Sequence, residues 1–385
     1  MIQALVLLQT VVLWHSYRAQ EKVAIEQLAA QWNALPDVPR LELLAVPYDA
    51  LADKITAAVP RGHGPDLFIF AHDRIGDWAE SKILEPIEFF VDEPLCDRFL
   101  RKTIDALAYG DSLYGLPLAY KSTALFYNKA LIARPPATTA ELYEIGRRLT
   151  DRRAGRFGLV YENTRLYFHA PFLHGYGGEV FDPQGRLHVT TPEAVRALAY
   201  ARLLGGPDGI VPPETSGILL ATLFNEGKAA MVVAGPWFVG EVRPGLSYGV
   251  VPLPVVSETG RRAAPFLGVE AVLMSARARD KTAAFRVMEF LTSDAAALLR
   301  ARVARQPVAN QAAYRDGRVL RDPILAAFRQ QLDWTRTMPG TPEMRMAWSP
   351  YDMALVQVVA FGGAPEPALR EAEQKIQAYL RGAGR

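Results

Sequence analysis

Residues 61–75 read RGHGPDLFIFAHDRI. Gly64-Pro65-Asp66 is a turn signature, Leu67 to Phe70 form a short apolar run, and Ala71 leads straight into His72-Asp73-Arg74. An apolar run of this length bounded by turn residues fits a β-strand. Polar side chains placed directly after such a strand lie at the sheet's carboxyl edge, where α/β proteins hold small molecules. The same residues would also make an ordinary capped turn.

Working outward, strand-like and helical patterns alternate: TVVLWHSY (10–17), QEKVAIEQLAAQWNAL (20–35), LELLAVP (41–47), YDALADKITAAV (48–59) and the run above. This alternation predicts βαβ units and a mainly parallel sheet. Val23, Ile25, Leu28, Ala29 and Trp32 recur at roughly helical spacing and predict a stripe packed on that sheet. Residues 111–131 give two short strand-like pieces around Pro117, and Thr138 or Thr139 followed by Glu141 predicts a helix start. The second half repeats the theme with GKAAMVVAGPWFVGEV (227–242), LSYGVVPLP (246–254) and FLGVEAVLMS (266–275). A long Ala-rich helix over about 280–299 follows, and then a mostly helical tail interrupted at 337–344 and 361–367.

The 385 residues are half hydrophobic, which favours two domains over one core. A net charge of +2, with both signs spread along the chain, gives no electrostatic reason to expect nucleic acid or an anionic membrane as partner. The single cysteine, Cys96, excludes an internal disulfide and a thiolate metal cage, and reads as a small buried hydrophobe. The apolar start MIQALVLLQTVVLWHSY lacks a basic leader region and an Ala-x-Ala cleavage site, so it reads as a mature or truncated start running into the first strand.

Enzyme motifs fail on inspection. GLSYG (245–249) has the form G-x-S-x-G, but a strand-like VVPLPVV follows Ser247 instead of a helix, and all six histidines precede it. His169 and His174, five apart, do not share a helix face and read as surface or half-buried imidazoles. No metal motif or phosphate loop occurs, so neither cofactor nor metal is expected. What stands out is aromatics beside polar residues at strand ends: Trp14-His15-Ser16-Tyr17, Phe70 before His72-Asp73-Arg74, Tyr167-Phe168, Trp237-Phe238, and Trp348 with Tyr351. Aromatic faces pack against the C–H face of a sugar ring while charged and amide groups take its hydroxyls.

At these residues, and in GPDLFIFAHDRIGDWAESKILEPI, YGLPLAYKSTALFYNKALI, LFNEGKAAMVVAGPWFV, YGVVPLP, PFLGVEAVLMS and MPGTPEM, the chain resembles the maltose/maltodextrin-binding proteins of ABC importers. The matching blocks span nearly the whole chain, in the family's order. The resemblance implies an α/β protein of the two-lobe type II periplasmic binding fold, with hinged lobes and a ligand cleft between them. Lobe one would be 1–118 plus 267–308 and lobe two 119–266 plus 309–385, with crossings near 119–123, 266–270 and 307–311. It implies a non-catalytic, monomeric, exported periplasmic protein that closes on an oligosaccharide and delivers it to permease subunits in the membrane.

By the same resemblance Asp73 and Arg74 take sugar hydroxyls, Phe70 stands in for an aromatic platform, and Trp237, Tyr167 and Trp348 are stacking residues, with Tyr351 beside the last. Tyr17 and Arg18 fall near a polar pair after the first strand. Two positions depart from the family's pattern: Lys121 stands where a glutamate is usual, and Arg165 lies near a second acidic position. If both face the ligand, a solute richer in acceptors or an anionic sugar is expected; if both face solvent, they are neutral to recognition. Trehalose, another glucoside or an anionic sugar, and an oligosaccharide hydrolase, are the alternatives.

Overall fold

The computed structural model describes residues 10–383. The chain runs β1 (Thr10–His15), α1 (Ala19–Asn33), β2 (Arg40–Ala45), α2 (Tyr48–Ala58), β3 (Leu67–Ala71) and β4 (Gly115–Lys121). It continues with β5 (Ala124–Asn128), α3 (Thr139–Leu149), β6 (Phe157–Val160), α4 (Leu166–Tyr176), α5 (Pro192–Gly205), β7 (Ala229–Ala234), β8 (Tyr248–Val251) and β9 (Phe266–Met274). Then come α6 (Lys281–Thr292), α7 (Asp294–Ala304), α8 (Pro323–Leu332), β10 (Arg336–Thr337), α9 (Pro342–Val359) and α10 (Pro365–Ala383).

Two compact units result. The first takes the chain through Lys121, then Gly268–Leu325 and Met338–Thr341; the second takes Ser122–Leu267, Ala326–Thr337 and everything from Pro342. The chain leaves the first unit after Lys121 and re-enters it at Gly268. The last crossing differs from the expected 307–311, because 309–325 stays with the first unit. Val308, Ala313, Val319 and Leu325 bury themselves against Ala297 and Ala301 of α7. Asn310 fastens the segment by donating to the Thr292 carbonyl and to Asp294 at 3.1 and 2.8 Å.

In the first unit the strand order is β2-β1-β3-β9-β4. β1 is parallel to β2 and β3, while β9 runs antiparallel to both β3 and β4, so β1 to β4 all end at one edge. Ala24, Ile25, Leu28, Ala29 and Trp32 form the buried face of α1, whereas Val23 turns outward. Pro117 lies inside β4 and does not break it: the pairing with β9 shifts there, setting Glu270 against Ala119 and Ala271 against Pro117. A proline has no N–H for the ladder, and a bulge accommodates it.

The second unit carries a sheet in the order β8-β5-β7-β6, with β6 parallel to β7 and β5 antiparallel to both β7 and β8. The first two residues of β9, Phe266 and Leu267, pair in parallel with β10. Thr138 caps α3 as the sequence suggests, accepting from Glu141 N–H at 3.2 Å. The Ala-rich helix expected over 280–299 is two helices, α6 and α7, because Ser293 leaves the helical conformation and its hydroxyl caps the second one at the Ala296 N–H. Cys96 is partly exposed and packs against the first unit's core.

Candidate functional site

The carboxyl edge of the first sheet gathers the starts of α1 and α2, the turn His72–Arg74 and the end of β4. His72 anchors that edge. Val269 N–H donates to its Nδ1 at 3.0 Å, so its Nε2 carries the proton and donates to the Met338 carbonyl at 2.7 Å. Burial pulls its pKa down to about 4, so it is a neutral structural link. This tether fixes where Asp73 and Arg74, both half-buried, emerge.

Beside them is a charged cluster. Lys121 Nζ donates to Glu270 Oε1 at 2.9 Å and lies 3.9 Å from Glu21 Oε1. The other Glu270 oxygen accepts from the Tyr17 hydroxyl at 2.8 Å and from Gln306 Nε2 at 3.2 Å. Burial opposes the charge on Lys121, but Glu21 and Glu270 outweigh it and raise its pKa. Burial raises Glu21, with Glu270 pushing the same way and Lys121 opposing. Tyr17, 4% exposed with its hydroxyl committed to Glu270, is part of the scaffold and not an open contact. Arg18 is exposed at the start of α1.

Phe70 is likewise no open platform: it is 5% exposed, with Tyr48 stacked on it at 5.6 Å and Trp78 edge-on at 5.1 Å. The exposed aromatic of that stack is Tyr48, 57% accessible. Sequence reading missed Tyr48, Glu21, Glu270 and Gln306. A signal for Glu270 existed, since it is the one charged residue in the nine of β9, and a buried carboxylate needs a partner. Tyr48 had no such mark.

In the second unit, β6 and β7 end at one edge, followed by 161–167 and by Gly235-Pro236-Trp237. Trp237 is half-buried with its ring 6.3 Å from that of Tyr167, itself half-buried and edge-on to Phe168. Gly235 makes this possible, because a Cβ there would sit 2.0–2.5 Å from the Trp237 ring. Arg165, 63% exposed, bonds Asp352 of α9 at 3.0 Å, and the other Asp352 oxygen caps α4 at the Leu166 N–H. Burial raises the Asp352 pKa against the pull of Leu166 and Arg165, and burial also raises nearby Glu162.

Trp348 is half-buried and edge-on to Phe266, which is edge-on to His174. Tyr351, expected at the site, is fully buried against the His169 ring and is core. His169 and His174, expected at or near the surface, are buried as well. Burial lowers them to about 3 and about 4. Among the described residues no group of three or more His, Cys, Asp or Glu side chains is placed to hold a metal, and no helix is long and apolar enough to cross a membrane.

Two α/β units with strand-end aromatic and polar groups define a two-lobe type II periplasmic binding protein. A solved cyclo/maltodextrin-binding protein complexed with maltotetraose superposes with a TM-score of 0.86 at 28% identity, covering 96% of this chain and 97% of that one. The chain belongs to the bacterial extracellular solute-binding proteins, whose family model matches residues 18–298; such proteins bind and do not catalyse. It is 28% identical to a maltotriose-binding protein of Pyrococcus abyssi (91% of this chain, 77% of the relative). It is 27% identical to a galactooligosaccharide-binding protein of Bacillus subtilis (93% and 86%).

Proposed function

We propose that this chain is the solute receptor of an ABC importer for short α-linked glucose oligosaccharides of the maltotriose class. Trp237 with Tyr167, Trp348 and Tyr48 supply ring-stacking surfaces, and Asp73, Arg74, Lys121 and Arg165 address hydroxyls. The protein acts outside the cytoplasmic membrane as a monomer, hands its sugar to the permease subunits, and has no nucleic-acid partner. The observation that carries this reading is the Trp237–Tyr167 pair at the strand ends of the second unit, held half-open by Gly235. Aromatic faces beside paired carboxylates and guanidinium groups suit a polyhydroxylated, ring-shaped ligand.

Calorimetry and thermal shift over maltose, maltotriose, maltotetraose, trehalose and galactobiose test it. A ligand at 100 times its Kd stabilises by about 2.7 kcal/mol. Maltotriose is expected to raise the unfolding temperature; a panel in which no sugar does so overturns the reading. A galactooligosaccharide ligand is the second reading, favoured by the galactooligosaccharide-binding relative, and preference for galactobiose decides for it.

A further inference from the structure

The charge class of the ligand follows from the first unit's cluster, and this step rests on the sugar-binding reading above. Lys121 is one of the two cations, with Arg165, that sequence alone offers to an acidic solute, yet its ammonium already faces two carboxylates, Glu270 at 2.9 Å and Glu21 at 3.9 Å. Glu270 is itself filled by Tyr17 and Gln306, so the lysine cannot exchange it for a ligand carboxylate without leaving a buried charge behind. The second deep cation, Arg300, is 1% exposed. It gives its guanidinium to the carbonyls of Leu291 and Leu118 and lies within electrostatic range of Glu270. Two cations thus stand against two carboxylates. Arg18, exposed beside Glu21, is screened by solvent. Asp73 and Arg74, adjacent in sequence, carry opposite signs. Arg165 in the second unit is held by Asp352 at 3.0 Å.

We propose that Glu21 and Glu270 are specificity-determining positioning residues: by holding the Lys121 ammonium they keep it as a hydrogen-bond donor to neutral hydroxyls and make the site select uncharged oligosaccharides against acidic ones. The three ammonium protons leave at least one for a sugar oxygen after the Glu270 bond is made. A ligand carboxylate or phosphate in the same place would meet Glu270 and Glu21 behind the lysine, a like-charge contact strongly disfavoured at low dielectric.

The test compares the affinities of maltotriose and of maltotriose oxidised to a carboxylate at one C6. The full chain, Glu270→Gln and Glu21→Gln are measured by calorimetry, with circular dichroism to establish folding. The wild-type protein is expected to prefer maltotriose by at least about ten-fold, and each variant, one negative charge poorer at nearly unchanged shape, to narrow that ratio by about ten-fold. Glu21→Gln keeps the test alive if Glu270→Gln does not fold, since Glu21 sits in the first turn of α1 and is only partly buried. A purely structural role for the carboxylates would weaken both sugars together and leave the ratio fixed. Maltotriose binding with an unchanged ratio in a folded variant, or a wild-type preference for the acidic sugar, overturns this proposal alone. Failure of the wild-type protein to bind either sugar overturns the sugar reading with it.

Discussion

The strand-end groups of the two units are built on opposite plans. In the first, a network of polar groups is paired before a ligand arrives: Glu270 holds Lys121 and Tyr17, Gln306 bridges Tyr17, Glu21 and Glu270, and His72 ties the turn bearing Asp73 and Arg74 to Met338 and Val269. In the second, the prominent feature is aromatic surface left half-open, Trp237 near Tyr167 and Trp348 against Phe266. Pre-paired charges change little on binding and so contribute mostly orientation and selectivity, whereas open ring faces contribute apolar area removed from water. On the proposed function, the first unit is the discriminating half and the second the affinity-bearing half.

The sharpest way to break that division is at Trp237. Trp237→Ala should weaken maltotriose binding by about 2–4 kcal/mol while leaving the fold intact, because the indole is half-buried at a strand end and not in the core. Calorimetry on the folded variant measures it. Wild-type affinity would remove Trp237 from the site and with it the affinity-bearing role of the second unit.

Removing Lys121 should act on stability first. Lys121→Met leaves Glu270 and Glu21 facing each other without their cation, and a broken buried pair costs about 3–5 kcal/mol. With a quarter of the lysine side chain exposed, about 2–3 kcal/mol is the expected loss in urea unfolding. Adding Glu270→Gln to Lys121→Met should recover part of it, since the second change removes the stranded charge. If Lys121→Met is neutral, the cluster is not pre-paired and the contrast between the units dissolves.

How much of this was legible in the sequence differs between the halves in the same way. Strands such as Leu67–Ala71 and Ala229–Ala234 announce themselves as short apolar runs between turn residues, and GPW marks Trp237 with its glycine. Those features are local, so periodicity and turn chemistry reach them. The pairing of Lys121 with Glu270 joins residues 149 apart, and that of Arg165 with Asp352 joins residues 187 apart. No local pattern specifies such contacts. The burial of Phe70 and Tyr351 is hidden for the same reason, because what covers them, Tyr48 with Trp78 and His169, is set by tertiary packing. The break at Ser293 was missed because alanine-rich flanks outweigh one serine in any helical pattern, although a serine hydroxyl is a preferred cap.

Acid should sharpen the comparison in stability. Burial holds His169 at about 3 and His174 at about 4 in the second unit, and His72 at about 4 in the first. An unfolded imidazole takes up its proton near pH 6.5. Above that pH these groups are neutral in both states and contribute nothing. Between about 6.5 and about 4 the unfolded chain binds protons that the folded chain refuses, so stability falls as pH falls. At pH 5 each such imidazole costs about 2 kcal/mol. His72 has both ring nitrogens bonded and His174 has one, whereas neither nitrogen of buried His169 has a hydrogen-bond partner. His169→Leu should therefore remove about 2 kcal/mol of the pH 5 penalty while losing no hydrogen bond. Denaturant midpoints at pH 7 and pH 5 measure it, and an unaltered pH dependence would mean that water reaches His169.

The smallest effect is expected at Tyr48, and it bears on whether the first unit has any aromatic contact to offer. Tyr48 stacks on Phe70 with the rings 1° from parallel and is 57% exposed, so one of its faces is used inside the unit and the other meets solvent. Burial raises its phenol pKa, with Asp73 and Glu270 pushing the same way and Lys121 and Arg74 opposing; the ring thus lies within electrostatic range of the charged cluster. A sugar contacting that cluster would cover the exposed face, but an aromatic face already half in water gains less than the Trp237 indole, about 1 kcal/mol or five-fold in affinity. Tyr48→Ala should lower maltotriose affinity by that amount, and Tyr48→Phe, which keeps the ring and removes only the hydroxyl, should leave it nearly unchanged. Phe70→Ala should instead lose stability, by about 3 kcal/mol as for other buried phenylalanines. A loss at Tyr48→Ala as large as that at Trp237→Ala would show that both units bind through ring surface and that charge pairing in the first does not set it apart.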